Sequence, residues 1–217
     1  MTTIPARIAE VYEALKTEVT WLHGRWIVYR QLFGESTRRI DMLNECASAF
    51  FYIIQDLLIG DVQITLSKLT DPAYSGKHAN LSLEHLQLQL KKYGDQSVAR
   101  QMRPMLDELH DKCKPFRTWR NKQLAHLDLT TSMKSSPDPL PGISRKMIED
   151  ALSLLRIYMN KIEAHYHDSE VGYEHFIMSS DGNALLDVIR NGLRYEELRQ
   201  KNLVQAEDWL HATWKDA

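Results

Sequence analysis

Only 2 cysteines, 9 glycines and 7 prolines occur in 217 residues, and each scarcity excludes something. Cys46 and Cys113 have no partners at metal-ligand spacing. That predicts free thiols in a reducing compartment rather than a disulfide framework. With so few glycines and prolines, those present punctuate periodic segments. Charge of one sign is missing too. Lys and Arg number 27 against 29 Asp and Glu, for a net charge of -2. A chain this balanced has no global field to attract nucleic acid, so any such site must be a local pocket or stripe. The first 19 residues carry acidic side chains and no apolar core, so no signal peptide is expected. The most apolar run, "ASAFFYII" at 47–54, is too short to span a bilayer. It is expected as a core helix segment, with no membrane partner and a cytoplasmic location. Gly-rich phosphate loops, nucleophile elbows and paired Cys motifs do not occur.

What is present is helical periodicity. Apolar residues recur at Ile8, Val11, Leu15, Val19, Leu22 and Trp26, predicting a helix over 4–33 that Gly24 would bend. Ser36 is placed to cap a second helix with Ile40, Leu43, Ala47, Phe50, Ile54 and Leu57 on its apolar stripe. Gly60 is expected to interrupt it before "DVQITLSKL" continues. Residues 70–80 read as a loop, and Ser82 and Gly94 bracket a short helix. A long helix follows over 97–124, with Val98, Met102, Leu106, Leu109, Cys113 and Phe116 on one face. Residues 130–142 carry three prolines and read as an exposed loop. Ser144 starts another helix that reaches Ile162. Residues 165–182 read as irregular with a short extended piece at "YEHFIM", and helices are expected over 183–201 and 204–214. The fold class is all-α, a bundle with a C-terminal helical extension. The expected division is 1–170 for the bundle and 171–217 for the extension.

The segment that carries chemistry is "RTWRNKQLAHLD", 117–128. An arginine, four to six residues and then a histidine is a weak pattern, and Arg103 with His110 satisfies it as well. The flanks are more specific: Asn121 and Lys122 follow Arg120, Leu124 and Ala125 precede His126, and Asp128 comes two residues later. This string resembles the Arg-polar-x4–6-His motif of the HEPN family (higher eukaryotes and prokaryotes nucleotide-binding), in its abortive-infection form. The likeness extends more softly over 15–163, including "LSKLTD" at 66–71. Nothing from Val171 onward resembles the family.

The resemblance implies an HEPN-like helical bundle and a metal-independent endoribonuclease without cofactors, acting in phage defence or as a toxin. A ribose 2′-hydroxyl would attack the adjacent phosphodiester, leaving a 2′,3′-cyclic phosphate. By the same resemblance His126 moves the proton and Arg120 stabilises the transition state, while Asn121 orients a phosphate oxygen or the imidazole. Arg117 and Lys122 would help hold RNA, and Asp128 would be a supporting partner. Expected partners are RNA, a second copy of the chain and an antitoxin protein. The alternative is an HEPN module that binds RNA, a nucleotide or a protein without cutting.

Geometry adds a constraint. On a regular helix Arg120 and His126 lie about 120° apart around the axis. One copy then makes a poor site unless the helix unwinds, and two copies about a two-fold axis would pool two of each. "EAHYHDSE" at 163–170, with His175 nearby, offers His165 and His167. At i and i+2 they point apart on a helix, which favours a polar helix end over a metal site. Trp209 and Trp214 would pack on the bundle or mark a partner surface.

Overall fold

The computed structural model describes residues 3–135 and 138–204. The chain forms α1 (Ala6–Tyr29), α2 (Thr37–Leu69), a two-stranded hairpin of β1 (Tyr74–Ser75) and β2 (His78–Ala79), α3 (Leu83–Tyr93), α4 (Gln96–Trp119), α5 (Leu129–Ser132), α6 (Arg145–His167) and α7 (Gly182–Gln200). The fold is all-α, as the periodicity predicts. The helix expected over 204–214, with Trp209 and Trp214, lies outside the described residues but for Val204.

Two compact units emerge. One combines Met1–Trp26 with Leu57–Ile177, the other Ile27–Asp56 with Met178–Ala217. In the first, α4 packs against α3 and α6. Its buried face carries Val98, Met102, Leu106, Leu109, Cys113 and Phe116, the spacing read from the sequence. Each large apolar side chain so buried contributes about 1.5–3 kcal/mol. From α1 the core takes Ile8, Tyr12, Leu15, Val19 and Leu22, with Tyr12 rather than Val11 turned inward. Tyr12 is there because its hydroxyl has a buried acceptor, Glu163 on α6. Burial also pushes the Cys113 thiol up to about 12, an inert side chain at neutral pH.

Helix starts follow side-chain caps. Ser82 and Ser144 accept from the backbone N–H groups of His85 and Met147, each satisfying a donor that the first turn leaves orphaned. Gly94 ends α3, and a larger residue there would force its neighbours to shift. A Cβ would lie 2.8 Å from both Ile8 Cδ1 and the Tyr166 hydroxyl.

Four expectations are corrected. Residues 130–132, expected as loop, belong to α5, whereas Gly24 lies inside α1. Gly60 lies inside α2, which instead kinks at Ala47 (φ -162°, ψ 72°). The run 47–54 is not core: Phe51 is buried, but Phe50, Tyr52 and Ile53 are 56, 72 and 54 % exposed. The kink shifts the helical phase, so the stripe drawn through Leu43, Phe50 and Ile54 does not share one buried face. By length and composition α2 is also long and apolar enough to cross a membrane, with 28 % of its most apolar window buried. "YEHFIM" opens with a 3-10 turn at Tyr173–His175 instead of an extended piece.

In the second unit, α7 packs against a π-turn at Arg30–Gly34. Asp181 caps α7 and accepts from the Gln31 amide at 2.6 Å, while the Gly182 N–H donates back to Gln31.

Candidate functional site

The motif string falls where α4 stops being an α-helix. After Trp119 the backbone widens into a π-turn over Arg120–Leu124, closed by the Ala125 N–H donating to Arg120 O at 2.8 Å. The Asp128 N–H then donates to Lys122 O at 3.0 Å, and the chain bends through Ala125 and His126. The 120° separation estimated for a regular helix therefore does not apply beyond Arg120. Such π-turns insert a residue into the helical register and recur at functional sites.

Arg120 is largely buried, its side chain 19 % exposed. Its Nη1 donates to both oxygens of Asp71, at 3.0 and 2.8 Å, and its Nε donates to Asn121 Oδ1 at 3.2 Å. Among the described residues nothing engages its Nη2. Asn121 thus touches Arg120 and not His126. The indole N–H of the neighbouring Trp119 donates to Pro141 O at 2.7 Å. An arginine fixed through two of its nitrogens, with the third unengaged, has donors free in the geometry that matches a phosphate.

Asp71 sits two residues past the end of α2, in "LSKLTD". The resemblance string contained it, but nothing in the sequence connects it to residues nearly fifty positions later. It is the site residue that sequence reasoning missed. The same carboxylate accepts from Arg117 Nη1 at 2.6 Å, and Arg117 Nη2 donates to Thr70 O at 2.7 Å and Ser67 O at 3.3 Å. Arg117 is therefore no solvated face residue. It satisfies the orphaned carbonyls at the C-terminus of α2, where a cation is favoured, and anchors α4 to that end.

His126 is exposed and makes no hydrogen bond or ion pair among the described residues. Leu127 and Leu129 beside it are 77 and 71 % exposed. Lys122 is half-buried. Asp128, expected as a supporting partner, caps α5: Oδ1 accepts from the Thr131 N–H at 2.9 Å and the Thr130 hydroxyl at 2.8 Å. Hydrogen bonding to Thr131, first through its side chain, and then to Thr130 holds the carboxyl down at about 2. Leu124, at the end of the π-turn, lies 3.6 Å from where a Cβ on Gly60 would stand, an ordinary van der Waals distance.

The near-repeat of the motif resolves differently. Arg103 Nη1 grips both Glu84 oxygens at 2.9 and 2.8 Å, and His110 Nε2 lies 3.3 Å from the same carboxylate. That cluster ties α4 to α3. His165 and His167 face different partners, Asp95 at 3.9 Å and Glu163 at 3.3 Å. Among the described residues no group of three or more His, Cys, Asp or Glu side chains is placed to hold a metal ion.

The HEPN_AbiU2 family model, described as AbiU2, matches residues 6–185, which includes the whole site. No curated protein and no solved structure matches the chain.

Proposed function

The chain belongs to the HEPN_AbiU2 family of abortive-infection HEPN proteins, and on that premise we propose that it is a metal-independent endoribonuclease. The observation that carries the proposal is the state of Arg120. Its guanidinium is held by Asp71 and Asn121, with one end open, on the π-turn that leads to an exposed His126. Phosphodiester transfer within RNA needs a group that moves a proton and a fixed positive charge, and these two side chains offer both.

The reaction proceeds as follows. One imidazole nitrogen of His126 takes the proton of a ribose 2′-hydroxyl as that oxygen attacks phosphorus. Negative charge grows on the non-bridging oxygens, where the Arg120 guanidinium faces it with forked donors. The bond from phosphorus to the 5′-oxygen breaks. The departing oxygen takes a proton from an imidazolium, leaving a 2′,3′-cyclic phosphate and a 5′-hydroxyl. Two imidazoles do this better than one, and a second copy of the chain supplies the other. The exposed Leu127, Leu129 and Met133 (77, 71 and 68 % exposed) support such a homodimer, because exposed apolar side chains within a few residues of His126 favour a partner over solvent.

RNA is the substrate class and the cytoplasm the location in this reading, with an antitoxin protein as the restraint. The test is cleavage of total bacterial RNA in EDTA by wild type and by His126→Ala. Cleavage that persists in chelator and vanishes in the variant supports the proposal. Binding without cleavage by pure wild-type protein would favour the non-catalytic HEPN module instead.

A further inference from the structure

The geometry points to Asp71 as the positioning residue of the site, a carboxylate that aims Arg120 and halves the local positive charge. The inference rests on the ribonuclease reading and adds the residue on which Arg120 depends. Asp71 makes no contact with His126 and is not expected to touch RNA. Its effect passes through the two arginines it joins.

Three observations carry it. First, Asp71 holds Arg120 by Nη1, with both carboxylate oxygens at 3.0 and 2.8 Å, while Nη2 has no partner among the described residues. Second, Asp71 is itself held rigidly. Its N–H donates to Lys68 O at 3.0 Å, Pro72 follows it, and Arg117 Nη1 grips Oδ1 at 2.6 Å. Third, Arg117 keeps independent holds on α2 through Thr70 O and Ser67 O. The attachment of α4 to α2 therefore does not depend on Asp71, while the aim of Arg120 does. Two cations share one anion here, so the cluster faces solvent with a single net positive charge.

That arrangement separates aim from attraction. Without the carboxylate, Arg120 swings among rotamers, and misplacement of a catalytic group by about 1 Å costs about 100-fold in rate. The site meanwhile gains a positive charge, which attracts a polyanion more strongly. A merely structural residue would not do this, since its loss weakens binding and cleavage together.

The experiment compares wild type, Asp71→Asn and Asp71→Glu, each as the full chain. Initial rates are read on total bacterial RNA in EDTA. Binding of a fluorescent oligouridylate across salt concentrations is read in a His126→Ala background. Asp71→Asn is expected to lose about 100-fold in cleavage, with a thermal midpoint close to wild type. Its affinity should not fall, and the slope of log K against log salt should steepen by about 0.7, one more phosphate contact on a single strand. Asp71→Glu should recover part of the rate.

Cleavage by Asp71→Asn within a few-fold of wild type would overturn the assignment, as would binding that weakens in step with cleavage. If wild type cuts nothing, the ribonuclease reading falls and the salt slope alone decides on Asp71. A steeper slope in Asp71→Asn supports its hold on Arg120, and an unchanged slope overturns it.

Discussion

Glu163→Gln keeps the side-chain volume and removes a buried charge, so it measures what joins α1 to α6. Glu163 is 5 % exposed. It accepts from the Tyr12 hydroxyl, from Lys16 Nζ at 3.2 Å and from Ser169 Oγ at 3.0 Å, and His167 Nδ1 lies 3.3 Å away. Desolvation pushes its carboxyl up, but the bonds from Tyr12, His167, Lys16 and Ser169 outweigh that and hold it at about 2. Hydrogen bonds to charged groups contribute about 1.5–3 kcal/mol each and are not additive. Gln keeps one accepting oxygen and Lys16 can turn to water, so the expected loss is about 2–3 kcal/mol. For a chain of this size each kcal/mol moves the thermal midpoint by about 2–4 °C, giving a fall of about 4–12 °C at neutral pH. The folded carboxyl titrates near 2, below its ordinary 4.5. Its stabilisation is therefore complete above about 4.5 and fades as pH falls towards 2. Thermal unfolding followed by circular dichroism across that range should show the gap between wild type and variant closing on acidification. A gap that stays constant with pH, or no gap at neutral pH, would refute the reasoning.

Leu127→Glu combined with Leu129→Glu should shift the protein from dimer to monomer in sedimentation velocity and lower RNA cleavage without lowering the thermal midpoint. A variant that stays dimeric would move the interface elsewhere. His110→Ala removes the histidine of the near-repeat, whose imidazole burial pushes down and which faces Glu84 on α3. It should leave RNA cleavage unchanged, and a loss comparable to that of His126→Ala, read on the same RNA, would show that the wrong histidine was assigned.

Features with local causes were legible in the sequence. Ser82, Gly94 and Ser144 marked helix ends correctly because a capping side chain acts on backbone within three residues. The buried face of α4 was legible because six apolar residues repeat the helical period. Features with distant causes were not. Nothing near Ala47 announces a kink, and Gly60 reads as a break although α2 runs through it. The π-turn at Arg120–Leu124 was hidden for the same reason, since the residues themselves favour an ordinary helix. In the site, Arg120, Asn121 and His126 came from a family string. Asp71 needed the fold, because a carboxylate in a turn after α2 has no sequence mark of the arginine it holds. Asp128, expected as a supporting partner, also caps a helix, a role that Asp fills routinely.

The central claim is that Arg120 and His126 form a site that cuts RNA by transfer to its own 2′-oxygen. End-group analysis of the fragments that purified wild-type protein makes from total bacterial RNA in EDTA tests it most directly. Wild-type fragments should carry 2′,3′-cyclic phosphate and 5′-hydroxyl ends, absent with His126→Ala. Fragments with 5′-phosphate and 3′-hydroxyl ends, or cyclic-phosphate fragments that persist with His126→Ala, would contradict it.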